Sequence, residues 1–153
     1  MAIEIERKFL VTGNDWRDAP AVYYSQGYLS RAKERTVRVR IAGDQAFLTI
    51  KGASTGASRM EFEYAIPLAD GRELLTLCEQ PLIEKYRRKI PCSGYVWEVD
   101  EFLGDNLGLV IAEIELPSED TAFDKPAWVT DEVTSDPRYF NSALCSHPWR
   151  HWD

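Results

Sequence analysis

Histidine and cysteine, the usual sources of catalytic imidazoles, zinc ligands and disulfides, are scarce in this chain. Its 153 residues include two histidines, His147 and His151, and three cysteines, Cys78, Cys92 and Cys145. An odd, scattered cysteine set without a C-x-x-C pair supports neither a disulfide frame nor a zinc site, and reads as buried free thiols in a reducing compartment. Both histidines stand among tail tryptophans and read as surface or tail residues. No stretch approaches the ~20 apolar residues of a membrane helix, and no signal-peptide run opens the chain, so a cytoplasmic protein without membrane partners is expected. Positive charge is in deficit as well, with 18 Lys and Arg against 25 Asp and Glu, a formal net charge of −7. That argues against a nucleic-acid surface and leaves any anionic ligand to be met by a local cluster or by metal ions. The small loop Gly52 to Ser58 lacks the Gly-Lys-Ser/Thr ending and following helix of a P-loop.

What the chain does have is alternation. In Ile3-Glu4-Ile5-Glu6-Arg7-Lys8-Phe9 the charges Glu4, Glu6 and Lys8 fall on every second residue, the period of a β-strand. Similar pairs return as Arg38/Arg40, Glu61/Glu63, Lys85/Arg87, Glu98/Asp100 and Glu113/Glu115. Strands are expected over residues 3–9, 21–30, 34–42, 45–51, 59–66, 83–90, 95–102 and 109–116, with a helix over 70–79 stopped by Pro81. Two short helices are expected near 119–124 and 137–144, and Trp16 is expected to cover the core from its loop. With 44% hydrophobic residues the chain can bury a core, and 1–153 reads as one domain.

Eight strands joined mostly by short turns favour a closed or nearly closed antiparallel sheet. Two orientations stay open. Either the apolar faces fill an ordinary barrel and the charges are solvated, or the charges line the lumen and helices and tail cover the outside. The two-apart positions are nearly all ionic, eight acids (Glu4, Glu6, Glu61, Glu63, Glu98, Asp100, Glu113, Glu115) and eight bases (Lys8, Arg38, Arg40, Lys51, Arg59, Lys85, Arg87, Lys89), which favours the charged lumen. Glu-x-Glu places hard oxygens about 7 Å apart on one strand face, suited to Mg²⁺ or Mn²⁺. Arg-x-Arg and Lys-x-Arg offer donors to phosphate oxygens. Together in one cavity they suit phosphoryl transfer.

The ordered set Glu4-x-Glu6-x-Lys8, Gln26-Gly27-Tyr28-Leu29, Arg38-x-Arg40, Leu48-Thr49-Ile50-Lys51, Glu61-x-Glu63, Glu84-Lys85-x-Arg87, Glu98-x-Asp100, Glu113-Ile114-Glu115 and Arg138-Tyr139 resembles the triphosphate tunnel metalloenzymes, or CYTH superfamily. The resemblance covers nearly the whole chain, and the length is similar to that of compact bacterial members. It implies an α+β, mainly β fold: an eight-stranded antiparallel closed β-barrel with a charged lumen and helices packed outside. It further implies hydrolysis of inorganic triphosphate with Mg²⁺ or Mn²⁺, two ions being expected. In that resemblance Glu4, Glu6, Glu113 and Glu115 are the main metal-facing acids, meeting across the tunnel, and Glu61, Glu63 and Asp100 hold metals, water or neighbouring bases. Lys8, Arg38, Arg40, Lys51, Lys85 and Arg87 embrace the phosphates, Lys8 and Lys51 acting at the terminal phosphoryl group, and Tyr28 orients nucleophile or substrate. A class IV-type adenylate cyclase, a thiamine triphosphatase and a non-catalytic polyphosphate-binding module are the alternatives, and a homodimer is left open. The C-terminal helix that plugs the tunnel in such proteins carries no lysine here, so Arg138 is the basic residue expected to serve.

Overall fold

The computed structural model describes residues 3–152 and contains nine strands, all antiparallel to their neighbours. They are β1 (Ile3–Val11), β2 (Ala21–Ser30), β3 (Arg35–Ala42), β4 (Gln45–Gly52), β5 (Ser58–Ile66), β6 (Ile83–Cys92), β7 (Tyr95–Phe102), β8 (Val110–Glu115) and β9 (Val129–Glu132). Their order is β5-β4-β3-β2-β6-β7-β8-β1-β9, and a further β5–β1 pairing turns the sheet into a ring. That seam is short: Ile3, Glu4 and Ile5 face Met60, Arg59 and Ser58, and the Glu6 N–H adds a bond to the Ala57 carbonyl at 3.0 Å. Turn chemistry sets the hairpins. Between β6 and β7 both Ser93 (φ 50°) and Gly94 (φ 87°) take positive φ, which matches the right-handed twist of the flanking strands.

The apolar faces point out of the ring, and three clusters cover them. Phe9, Trp97, Val99, Ala112 and Ile114 are closed over by Trp16, Phe123 and Trp128. Ile83, Phe102 and Ile111 meet Leu144 and Cys145 of α2 (Asn141–Ser146), with Trp149 and Trp152 beside them. Val39, Ile41 and Leu48 meet Leu74, Leu75 and Cys78, the first two on α1 (Leu68–Leu77) and Cys78 just past its end. The charged faces therefore line the lumen. No helix among the described residues is long and apolar enough to cross a membrane.

Two expectations change. Residues 119–124 form no helix: Thr121 Oγ1 accepts the Ser118 N–H in a tight turn, and the extended path after it delivers Phe123 to the edges of Phe9 and Trp97, at 5.9 and 5.8 Å. The four-residue β9 is a strand the sequence pattern does not announce. It occupies the edge of β1 beyond the β5 seam, held by buried Val129 and by the Arg7–Glu132 fork at 2.6 and 2.8 Å.

Gly71 lies within α1, where alanine would normally favour the helix by about 1 kcal/mol. A Cβ there would stand 2.5 Å from the Ala46 Cβ, so overpacking, typically about 1–3 kcal/mol, outweighs the propensity gain. We expect Gly71→Ala to lower the melting temperature and Ala46→Gly in the same chain to recover part of the loss. An unchanged or raised melting temperature in Gly71→Ala would show that the helix moves away freely.

Candidate active site

Strand register decides which charges meet. Across β1 and β8 Glu6 faces Glu115 and Lys8 faces Glu113; across β6 and β7 Arg87 faces Asp100. On the far wall Gln26 faces Arg40, Tyr28 faces Arg38, Thr36 faces Lys51, Thr49 faces Glu63 and Lys51 faces Glu61. The inner faces enclose one cavity of about 320 Å³, and every ionic residue expected in the lumen lines it except Asp100. Seven carboxylates and eight cations thus nearly balance within the tunnel at +1, so the rest of the molecule carries −8 to give the net −7.

Asp100 lies beneath the lining instead. One oxygen accepts from Arg87 Nε at 2.7 Å, the other from Lys85 Nζ at 2.7 Å and Arg87 Nη2 at 2.8 Å. Burial raises its pKa, but Arg87 and then Lys85 outweigh burial and hold it below the usual range. It therefore anchors two bases, and three of its roughly four lone-pair sites are already occupied. Lys85 is itself pulled down to about 7, first by burial, against the attraction of Asp100 and with the repulsion of Arg87 and Arg40. Arg40 is lowered to about 9 by burial and by Arg38 and Arg87. Arg38 Nε is buried with no hydrogen-bond partner among the described residues, while its Nη2 reaches Thr49 Oγ1 at 3.3 Å and Glu63 at 3.6 Å. This wall holds more positive charge and more donor capacity than its own acids satisfy.

The carboxylate wall is crowded in the opposite sense. Lys8 Nζ lies 3.0 Å from Glu6 and 2.5 Å from Glu113, and Arg87 Nη2 reaches the other Glu113 oxygen at 3.2 Å. Burial, and next the Glu113 charge, pushes Glu6 up to about 8 against the pull of Lys8. Burial would raise Glu113 too, but Lys8, a hydrogen bond from Glu6 and Arg87 hold it well below the usual range. Lys51 Nζ lies 2.9 Å from Glu4 and 3.4 Å from Glu61. Burial raises Glu61 and Glu115 as well. Because β1 and β8 are neighbours, Glu6 stands beside Glu113 and Glu115 on one wall, and the expected meeting across the tunnel does not occur.

Hard carboxylate oxygens under mutual repulsion fit a hard divalent cation. Among the described residues no three acidic, histidine or cysteine side chains converge as a ready cage.

Several lining residues lie outside the sequence-based site. Tyr24 is buried, and its ring meets Arg40 at 4.9 Å, Arg87 at 5.0 Å and Lys85 at 6.0 Å. It shares the inward face of β2 with Gln26 and Tyr28, so two-residue spacing from Tyr28 was the available signal. Asn141, at the start of α2, is the tail residue that reaches the bases, whereas Arg138 is exposed, forked onto Asp136 and stacked on Trp152 at 4.8 Å. Asp136 accepts from the Arg138 backbone as well, which turns that side chain away from the tunnel.

Comparison with known proteins agrees with the ring of strands. The CYTH domain family matches residues 2–141. A protein of Acetivibrio thermocellus named inorganic triphosphatase is 53% identical over 154 residues, covering 99% of both chains. An inorganic triphosphatase of Nitrosomonas europaea is 39% identical over 146 residues, covering 92% of this chain and 95% of that one. The solved structure of an inorganic triphosphatase superposes with a TM-score of 0.67 at 37% identity, covering 95% of each chain. The chain belongs to the CYTH domain family.

Proposed function

We propose that the protein hydrolyses inorganic triphosphate to pyrophosphate and phosphate with Mg²⁺ or Mn²⁺ bound. The observation that carries this reading is a single cavity with an under-satisfied cationic wall beside a mutually repelling carboxylate wall. Relatives over nearly the full length bear the name inorganic triphosphatase, which favours that substrate over a nucleotide or thiamine ester.

Arg38, Arg40, Lys85 and Arg87 hold the phosphate chain, and the free Arg38 Nε is a donor waiting for an acceptor. Glu4, Glu6, Glu113 and Glu115 would hold the metal, supported by Glu61 and Glu63, and the chemistry it supplies when bound is neutralisation of phosphate oxygens and acidification of a water. Lys8 and Lys51 stand between carboxylates on the same walls, placed to stabilise charge that grows on the terminal phosphoryl group and leaving oxygen. Tyr28, buried in the lining opposite Arg38, orients substrate or water. Water adds to the terminal phosphorus as the bridging P–O bond breaks. Placement and electrostatics do the work, with no covalent nucleophile.

Phosphate release measured on tripolyphosphate, ATP and thiamine triphosphate, with Mg²⁺ or Mn²⁺ and then EDTA, tests the reading. Release from tripolyphosphate should exceed that from the other two and stop with EDTA. No metal-dependent release from any of them would refute hydrolysis, and cyclic AMP formed from ATP would mark a cyclase.

A further inference from the structure

Two cations of the tunnel are tied together by two amides, the buried Gln26 and the half-buried Asn141, which lies outside the barrel. Asn141 Oδ1 accepts from Lys85 Nζ at 3.1 Å and from Gln26 Nε2 at 3.1 Å, and Gln26 Oε1 accepts from Arg40 Nε at 2.8 Å. Lysine and arginine only donate, so each amide must turn its oxygen to a cation. The Gln26 amide nitrogen is then left to face Asn141, and the orientation of the whole chain Lys85–Asn141–Gln26–Arg40 is determined. Gln26 and Lys85 are fully buried, so neither can exchange these bonds for water without opening the wall.

We propose that Asn141 is a positioning residue for the phosphate-binding cations. From α2 it sets the Lys85 ammonium directly, and the Arg40 guanidinium through Gln26, so that both present their remaining donors to the cavity. Three observations meet in this assignment. Asn141 lines the cavity beside Phe140 and Ser142, so α2 forms part of the wall. Lys85 has a second anchor in Asp100, which fixes its base and leaves Asn141 to fix its heading. Arg40 forms no ion pair among the described residues and is repelled by Arg38 and Arg87, so the Gln26 bond, with the Tyr24 ring beneath the guanidinium, holds it in place. The C-terminal helix thus acts on the phosphate-binding cations through one amide oxygen, where a basic side chain was expected from the sequence.

The inference rests on the proposed triphosphate site, and binding separates it from the reaction. Tripolyphosphate binding by titration calorimetry is compared for the full chain, Asn141→Leu, Asn141→Asp and, as an exposed control on the same helix, Ser146→Ala. Steady-state kinetics and melting curves accompany it. Asn141→Leu keeps the side-chain size and removes the acceptor; about tenfold or more weaker binding is expected, seen as a raised KM with kcat changed less. Asn141→Asp keeps an acceptor oxygen and should bind within about threefold of the parent, as should Ser146→Ala. Equal binding by Asn141→Leu and the parent overturns the inference, as does a fall in melting temperature with unaltered binding by the folded protein. If the parent binds but does not turn over, hydrolysis is refuted and the binding series still decides the role of Asn141. If the parent does not bind, both readings fall.

Discussion

Lys8→Ala is expected to lower phosphate release from tripolyphosphate by about 10²–10³-fold at saturating substrate and metal, the usual cost of losing a charged donor aimed at developing negative charge. Lys8 Nζ sits between Glu6 and Glu113, on the strand that also carries Glu4. Its removal leaves two buried carboxylates side by side, yet the fold should survive. Burial and the Glu113 charge push Glu6 up, which favours its protonated form donating to ionised Glu113. Glu6→Gln mimics that protonated state. It should therefore fold normally and lose activity to a similar extent, because only the ionised, metal-binding form is denied to it. Activity within tenfold of the parent in both variants would place the N-terminal strand outside the chemistry.

Asp100→Ala carries the largest expected loss of stability. Asp100 is fully buried and is the shared counter-ion of Lys85 and Arg87, with Arg40 close by as a further positive charge. Removing one member of a buried ionic cluster costs about 3–5 kcal/mol, because the partners remain buried and unpaired. At ~2–4 °C per kcal/mol for a chain of this size, the melting temperature should fall by on the order of 10 °C. Asp100→Asn, which keeps the shape and loses the charge, should fall in between. A melting temperature within about 3 °C of the parent, with a raised metal requirement, would instead make Asp100 a metal ligand.

The ring and its lining were largely legible in the sequence because alternation carries them. Charge pairs announced themselves at period two on six strands, and all eight expected strands are bounded to within two residues of expectation. Where the sequence fell short, the missing information was three-dimensional. β9 is four residues long, too short for a pattern, and exists because β1 offers it an edge. Phe123 and Phe9 are far apart in the chain, so the pull that straightens residues 119–124 has no local signature. Asp100 reads as one more inward acid; that Lys85 and Arg87 close over it follows from register and side-chain length. Asn141 was hidden for another reason. Polar helix-start residues usually serve their own backbone, and only the docking of α2 against β2 and β6 turns this one toward Gln26 and Lys85.

The balance of seven carboxylates against eight cations also governs how a cargo arrives. With a net −7 overall and the tunnel lining near neutral, the molecule offers a polyanion no attraction at distances beyond the Debye length of about 10 Å. Capture begins only at the mouth, after an encounter that the outer surface opposes. Salt, which slows association wherever opposite charges steer it, here screens a repulsion. Selectivity is therefore exercised at contact, by the geometry of the lining, and long-range collection from solution plays no part in it.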